Sequence, residues 1–244
     1  MIGLLITLLA GLSIVLGVFI IRETHNSETI EHLSIAMALA AMLSLMIFDL
    51  IPDIRESGES LGWLSIILFI VLGFLLLKLL DLFIPDHEDH EKNHEQENAS
   101  HIGVISALAI ILHNIVEGMT VYSLSLSSLS QGILFAFAIS LHNIPMGMMI
   151  YSTMIRDRKH RKEKELILGL VSISTLIGGI LMHLVSGLMT ENLIGALVCL
   201  ASGMIIYIVF IELLPHVIKT KEPKINLIGI LIGFGLVFVS SLLA

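Results

Sequence analysis

The sequence predicts an all-α integral membrane protein with eight transmembrane helices, and three observations carry that expectation. Of its 244 residues 56% are hydrophobic and only 14% charged, with a mean hydropathy of +0.97, a balance that a water-soluble domain does not have. The apolar residues gather into runs that match the ~20 residues of helix needed to cross a hydrocarbon layer. The basic residues fall almost wholly into alternate connections.

The runs are residues 2–21, 33–51, 61–84, 101–122, 131–152, 165–187, 193–214 and 225–243. Helix is expected throughout, because in lipid every backbone N–H and C=O must be satisfied within its own segment. Gly11, Gly17, Gly73, Gly178, Gly179, Gly233 and Gly235 fall inside these runs, where small residues let helices approach closely. The first run has no basic leader and no small-residue cleavage pattern, so it reads as a span and not a signal peptide. Cys199 is the single cysteine, which excludes an intramolecular disulfide. The longest connection, 85–100, leaves no room for a soluble domain, so residues 1–244 read as one transmembrane domain.

Orientation follows from the thirteen Lys and Arg. Alternate connections collect Arg22, Lys92, the six bases of "RDRKHRKEKE", Lys219, Lys221 and Lys224, against Arg55 alone on the other side, with Lys78 inside the third span. Such asymmetry puts the basic side in the cytoplasm. Both termini are then expected outside a cytoplasmic membrane, with connections 22–32, 85–100, 153–164 and 216–224 inside. The net charge of −8 says little about partners, because much of the acid sits in "DHEDHEKNHEQEN"; no nucleic-acid partner is expected.

The polar residues inside the apolar runs point to function. "ILHNIVEGMTVY" (111–122) in the fourth span is echoed by "SLHNIPMGMMIY" (140–151) in the fifth. Counted along their helices at about 1.5 Å per residue, both motifs reach the membrane midplane. His113 and Glu117 are four residues apart and share a helix face, as do His142 and Met146. An ionised carboxylate in hydrocarbon is costly and turns toward the bundle interior and a partner. Two imidazoles, a carboxylate, a thioether and the amides of Asn114 and Asn143 form a ligand set for a divalent transition metal. Pro145 lacks an N–H and is expected to open the fifth helix beside these ligands.

A second echo lies at the flanks. Asp49-Leu50-Ile51-Pro52 closes the second run and Glu212-Leu213-Leu214-Pro215 closes the seventh. These spans run in opposite directions, which is the pattern of an inverted repeat: spans one to three and six to eight around the four–five pair, a 3+2+3 arrangement. Asp49 and Glu212 are candidate pathway residues.

The "HNIVEG" and "HNIPMG" pair, the "FIELLPH" close of the seventh span, the His-rich connection after the third span and eight spans with both ends outside resemble the ZIP (Zrt/Irt-like) metal transporters along the whole chain. The resemblance implies import of a divalent metal, usually zinc and sometimes iron or manganese, through a pair of ions bridged by acids of helices four and five. The family's helix-four His, Asn and Glu fall on His113, Asn114 and Glu117, and its helix-five His and Asn on His142 and Asn143. Three positions depart from the pattern: Met146 replaces a glutamate, Val116 a proline, and "VSISTLIGGI" has no carboxylate, with Thr175 or Leu176 in its place. The second ion's acids are therefore missing, and a single-metal site is expected, with Met146 as a candidate soft sulfur ligand; Met42 and Met46 are near enough to approach it, but core filler is the favoured role for both.

His87, His90 and His94 in "DHEDHEKNHEQEN" are candidate weak chelators within a solvated loop. His183 is either an outer ligand or a helix-packing residue. Asn98 opens a glycosylation sequon that the cytoplasmic placement discounts. The expected substrate is zinc, with iron, manganese or cadmium as alternatives, and no bound cofactor is called for. A homodimer stays open. Two rival functions are a membrane metal sensor without transport and an intramembrane metal hydrolase, the latter lacking an HExxH pair.

Overall fold

The computed structural model describes residues 2–24, 28–83, 94–155, 161–185 and 190–242. Among the described residues there is no strand. Eight helical stretches are long and apolar enough to cross a membrane, and they are numbered here as spans one to eight: Ile2–Glu23, Glu28–Glu56, Trp63–Leu82, Ile102–Ser127, Leu129–Met154, Lys162–Val185, Asn192–Lys219 and Pro223–Ser241.

Several boundaries differ from those expected. The helix holding span four begins at His94, so residues 94–100, read as loop, are helical. Glu and Gln in "HEQENAS" are good helix formers and extend the helix ahead of the first apolar turn. Span two runs on past Pro52 to Leu61, where Gly62 takes the left-handed φ of 77° that ends the helix. Spans four and five are joined by Ser128 alone, so short a link that they must be antiparallel neighbours.

Proline acts differently from the expectation at Pro145. The helix Leu129–Ile155 is continuous through that residue, so the expected opening of span five is absent. Backbone irregularity instead precedes Pro52 and Pro215, as π-helical segments at Met46–Leu50 and Ile208–Leu213. There the Ile51 N–H bonds the Met46 carbonyl and the Leu214 N–H bonds the Val209 carbonyl, the wide i→i+5 pattern. A proline on the next position cannot donate, so the turn before it is the one free to widen.

Packing sorts the spans into two groups. Spans one and five, four and six, and four and five pack closely, as do two with eight and three with seven. Glycines set most of these crossings, spans three with seven and two with eight included. A Cβ at Gly118 would strike the Thr175 carbonyl and one at Gly178 the Ile115 carbonyl, while Gly17 and Gly147 meet Ile144 and Ile14 in the same reciprocal way. Such contact lets backbones touch where lipid supplies no hydrophobic drive. Gly235, by contrast, faces open space, so its expected packing role is absent. Span three is only 17% buried, against 67% for spans two, four and seven and 61% for span five; span three therefore faces lipid, and the other four form the interior.

Candidate metal centre

Span four carries His113 and Glu117 one turn apart, and span five brings His142 against them. Their exposures are 4%, 8% and 2%. Glu117 Oε1 lies 2.8 Å from His142 Nε2 and 2.9 Å from His113 Nε2. Only the His142 contact has hydrogen-bond alignment. The donor atoms all lie within 4.8 Å of one another, and among the described residues no other group of three His, Cys, Asp or Glu does so.

This geometry suits a small dication. Ligands about 2.0–2.1 Å from a tetrahedral ion stand about 3.3–3.4 Å apart. Admitting one moves the imidazole nitrogens about half an ångström back from Oε1, with all three donors already within 4.8 Å of one another. Among the described residues Glu117 Oε2, His113 Nε2 and His142 Nδ1 are buried without an aligned hydrogen bond. Each such orphan costs about 1–3 kcal/mol, which a bound cation at the first two recovers.

The triad borders a cavity of about 260 Å³ whose walls come from spans two, four, five, seven and eight. Asp49, a candidate from the sequence, lines it. Asp53, Thr120 and Ser240 line it too and escaped the sequence reading. Asp53 was visible as the second acid of "DLIPD", four residues after Asp49. Ser240 donates a 2.9 Å hydrogen bond to the Ala138 carbonyl, which ties span eight to span five at the cavity wall. The two aspartates supply negative charge that the missing acids at 146 and 175 do not.

Other expected residues sit elsewhere. Asn114 and Asn143 are fully buried but are not among the lining residues. Asn143 Nδ2 makes a long 3.5 Å contact with the Ala10 carbonyl, and the Asn114 amide has no hydrogen-bond partner among the described residues. Met146 and Met42 are fully buried in the apolar cluster that includes Ile14 and Met149, with Met46 packed at its edge, and none of the three reaches the cavity wall. Thr175 is buried against Gly118. His183 shares a 2.6 Å hydrogen bond with the Tyr122 hydroxyl, linking span six to span four. Glu212 lies in the π segment of span seven, away from the cavity wall. His87 and His90 lie outside the described residues, and His94 opens the helix His94–Ser127.

Comparison with known proteins converges on the same region. The family model described as ZIP Zinc transporter matches residues 85–241. A protein named Zinc transporter ZupT from Chlorobium luteolum is 32% identical over 99% of this chain and 97% of its own length. The Zinc transporter ZupT of Oceanobacillus iheyensis is 31% identical over 100% and 98%, and that of Streptococcus mutans 29% identical over 98% and 96%. With the family model spanning residues of every span from four to eight, and relatives matched nearly end to end, the chain belongs to the ZIP family of metal transporters, which are carriers and not enzymes.

Proposed function

We propose that this chain imports a divalent cation, zinc before iron, manganese or cadmium, across the cytoplasmic membrane through one site made by His113, Glu117 and His142. The observation that carries the reading is the convergence of these donors from two spans within 4.8 Å beside a cavity that also holds Asp49 and Asp53. The names of the relatives favour zinc, and two imidazoles with one carboxylate are donors that zinc accepts. A single ion is favoured because neither aspartate joins the three-donor group. Asn114, Asn143 and Met146 are assigned supporting roles behind the ligands.

Inward direction is supported by the charge pattern. The cavity's residues come from the halves of spans two, four, five, seven and eight that the positive-inside reading puts outside. Fully buried Ile14, Met42, Met146 and Met149 close the way below the site. The inverted relation of spans one to three with six to eight is supported by matching pairings, one with five against six with four and two with eight against seven with three, and by a π segment in each arm. All of residues 1–244 are assigned to one transporting domain.

The test is zinc influx into proteoliposomes that contain only this chain and enclose a zinc-sensitive dye, with manganese and cadmium as competitors. Saturable influx inhibited by cadmium is expected, and native mass spectrometry should find one strongly held ion per chain. Binding without influx would make the protein a sensor and overturn the transport reading. In Met146→Glu, a carboxylate one turn from His142 should raise competition by the harder manganese; an unchanged order of competitors would show that position 146 does not influence the metal.

A further inference from the structure

A second histidine pair lies far from the cavity. His32 is near the start of span two and His216 near the end of span seven. Their ring centroids are 6.0 Å apart at 40°, close to the 6.4 Å between His113 and His142. His32 Nδ1 is buried and has no hydrogen-bond partner among the described residues. Along span two, His32 precedes the cavity residue Asp49 by 17 positions, about 25 Å of helix. Along span seven, His216 follows the cavity residue Ala201 by 15 positions, about 22 Å. The pair therefore stands at the opposite end of the bundle from the cavity.

We infer that His32 and His216 form a second, weaker divalent-metal site. An imidazole centroid sits about 3.2 Å from a metal that the ring ligates, so two rings on one ion are about 5.2 Å apart for a tetrahedral angle and about 6.4 Å apart for a linear one. The observed 6.0 Å falls inside that window, so the rings are spaced for one nitrogen of each to meet on one ion. Glu28 precedes His32 by four positions and Glu212 precedes His216 by four, which sets a carboxylate about one turn from each ring. Among the described residues no carboxylate oxygen completes a three-donor group here. Two imidazoles alone bind a dication less tightly than the buried triad, which also supplies a carboxylate. Weak holding suits an ion on its way out of the membrane, since conduction needs binding sites that release. The inference rests on the transport reading for the identity of the ion and for its direction of travel, not for the site itself.

The test uses the full chain in lipid nanodiscs with His87, His90 and His94 changed to Gln, so that the loop adds no sites. Calorimetric titration with zinc chloride should resolve a tight and a weak class. His32→Gln with His216→Gln should remove the weak class and keep the tight one, which also reports that the variant is folded. His113→Ala with Glu117→Ala should do the reverse. Losing a ligand should lower affinity by at least the roughly tenfold cost of losing an outer-shell partner. Zinc protection of His32 and His216 from diethylpyrocarbonate, read by mass spectrometry on the chain with both residues intact, needs no change at the site itself. Equal weak-class binding in the His32→Gln, His216→Gln chain, or a footprint at these residues that zinc leaves unaltered, would overturn the site while leaving the transport reading intact.

Discussion

Glu117→Gln tests the centre most directly, because the amide keeps the shape of the side chain and removes only its charge. In the folded protein Oε1 is the atom on which both imidazoles converge, at 2.8 and 2.9 Å, and a glutamine oxygen can still accept from one of them. The helix crossing at Gly118 is untouched, so the variant should reach the membrane in normal amount. A dication about 2.1 Å from a full negative charge gains about 16 kcal/mol of gross attraction at an effective dielectric of about 20. Dehydration of ion and carboxylate offsets most of this. If only a tenth survives, about 1.6 kcal/mol, zinc affinity falls more than tenfold. Dye-reported zinc influx into proteoliposomes, measured across zinc concentrations, should therefore show a half-saturation point raised at least about tenfold, or no saturable influx. Glu117→Asp keeps the charge but draws it back by one methylene, and should fall between the two. Influx by Glu117→Gln within twofold of the parent chain, at equal protein, would refute the assignment of this carboxylate as the charged ligand.

Gly118→Ala places a methyl group against the Thr175 carbonyl and should lower stability by about 1–3 kcal/mol; thermal unfolding in detergent reads this, and zinc influx should drop as Glu117 shifts with its neighbour. Tyr122→Phe removes the 2.6 Å bond to His183 and should cost about 0.5–1.5 kcal/mol with zinc half-saturation unchanged, whereas a marked change in half-saturation would show that His183 touches the ion. Asp49→Asn with Asp53→Asn strips negative charge from the cavity wall without altering the triad. It should slow influx at low zinc and low ionic strength, with the difference shrinking in high salt as charge is screened; a salt-independent defect would contradict a role in attracting the ion.

The eight spans were legible in the sequence because hydrocarbon leaves the chain so few choices. A run of apolar residues must become helix, and a carboxylate within it must find a partner inside the protein. The helical period alone put His113 and Glu117 on one face, and the echo at His142 brought in the second histidine. The same period said nothing of how each helix is rotated against the others. Reciprocal contacts such as Gly118 with Thr175 and Gly178 with Ile115 set that rotation, and with it the residues that meet. Packing therefore decided that Asp53 lines the cavity and that Met146, which shares a face with His142, lies in the apolar cluster instead. It also decided that the backbone widens ahead of Pro52 and Pro215 but not at Pro145. His32 and His216 are 184 positions apart and do not correspond in the echo that spans two and seven share, so only the meeting of those spans could set their rings 6.0 Å apart.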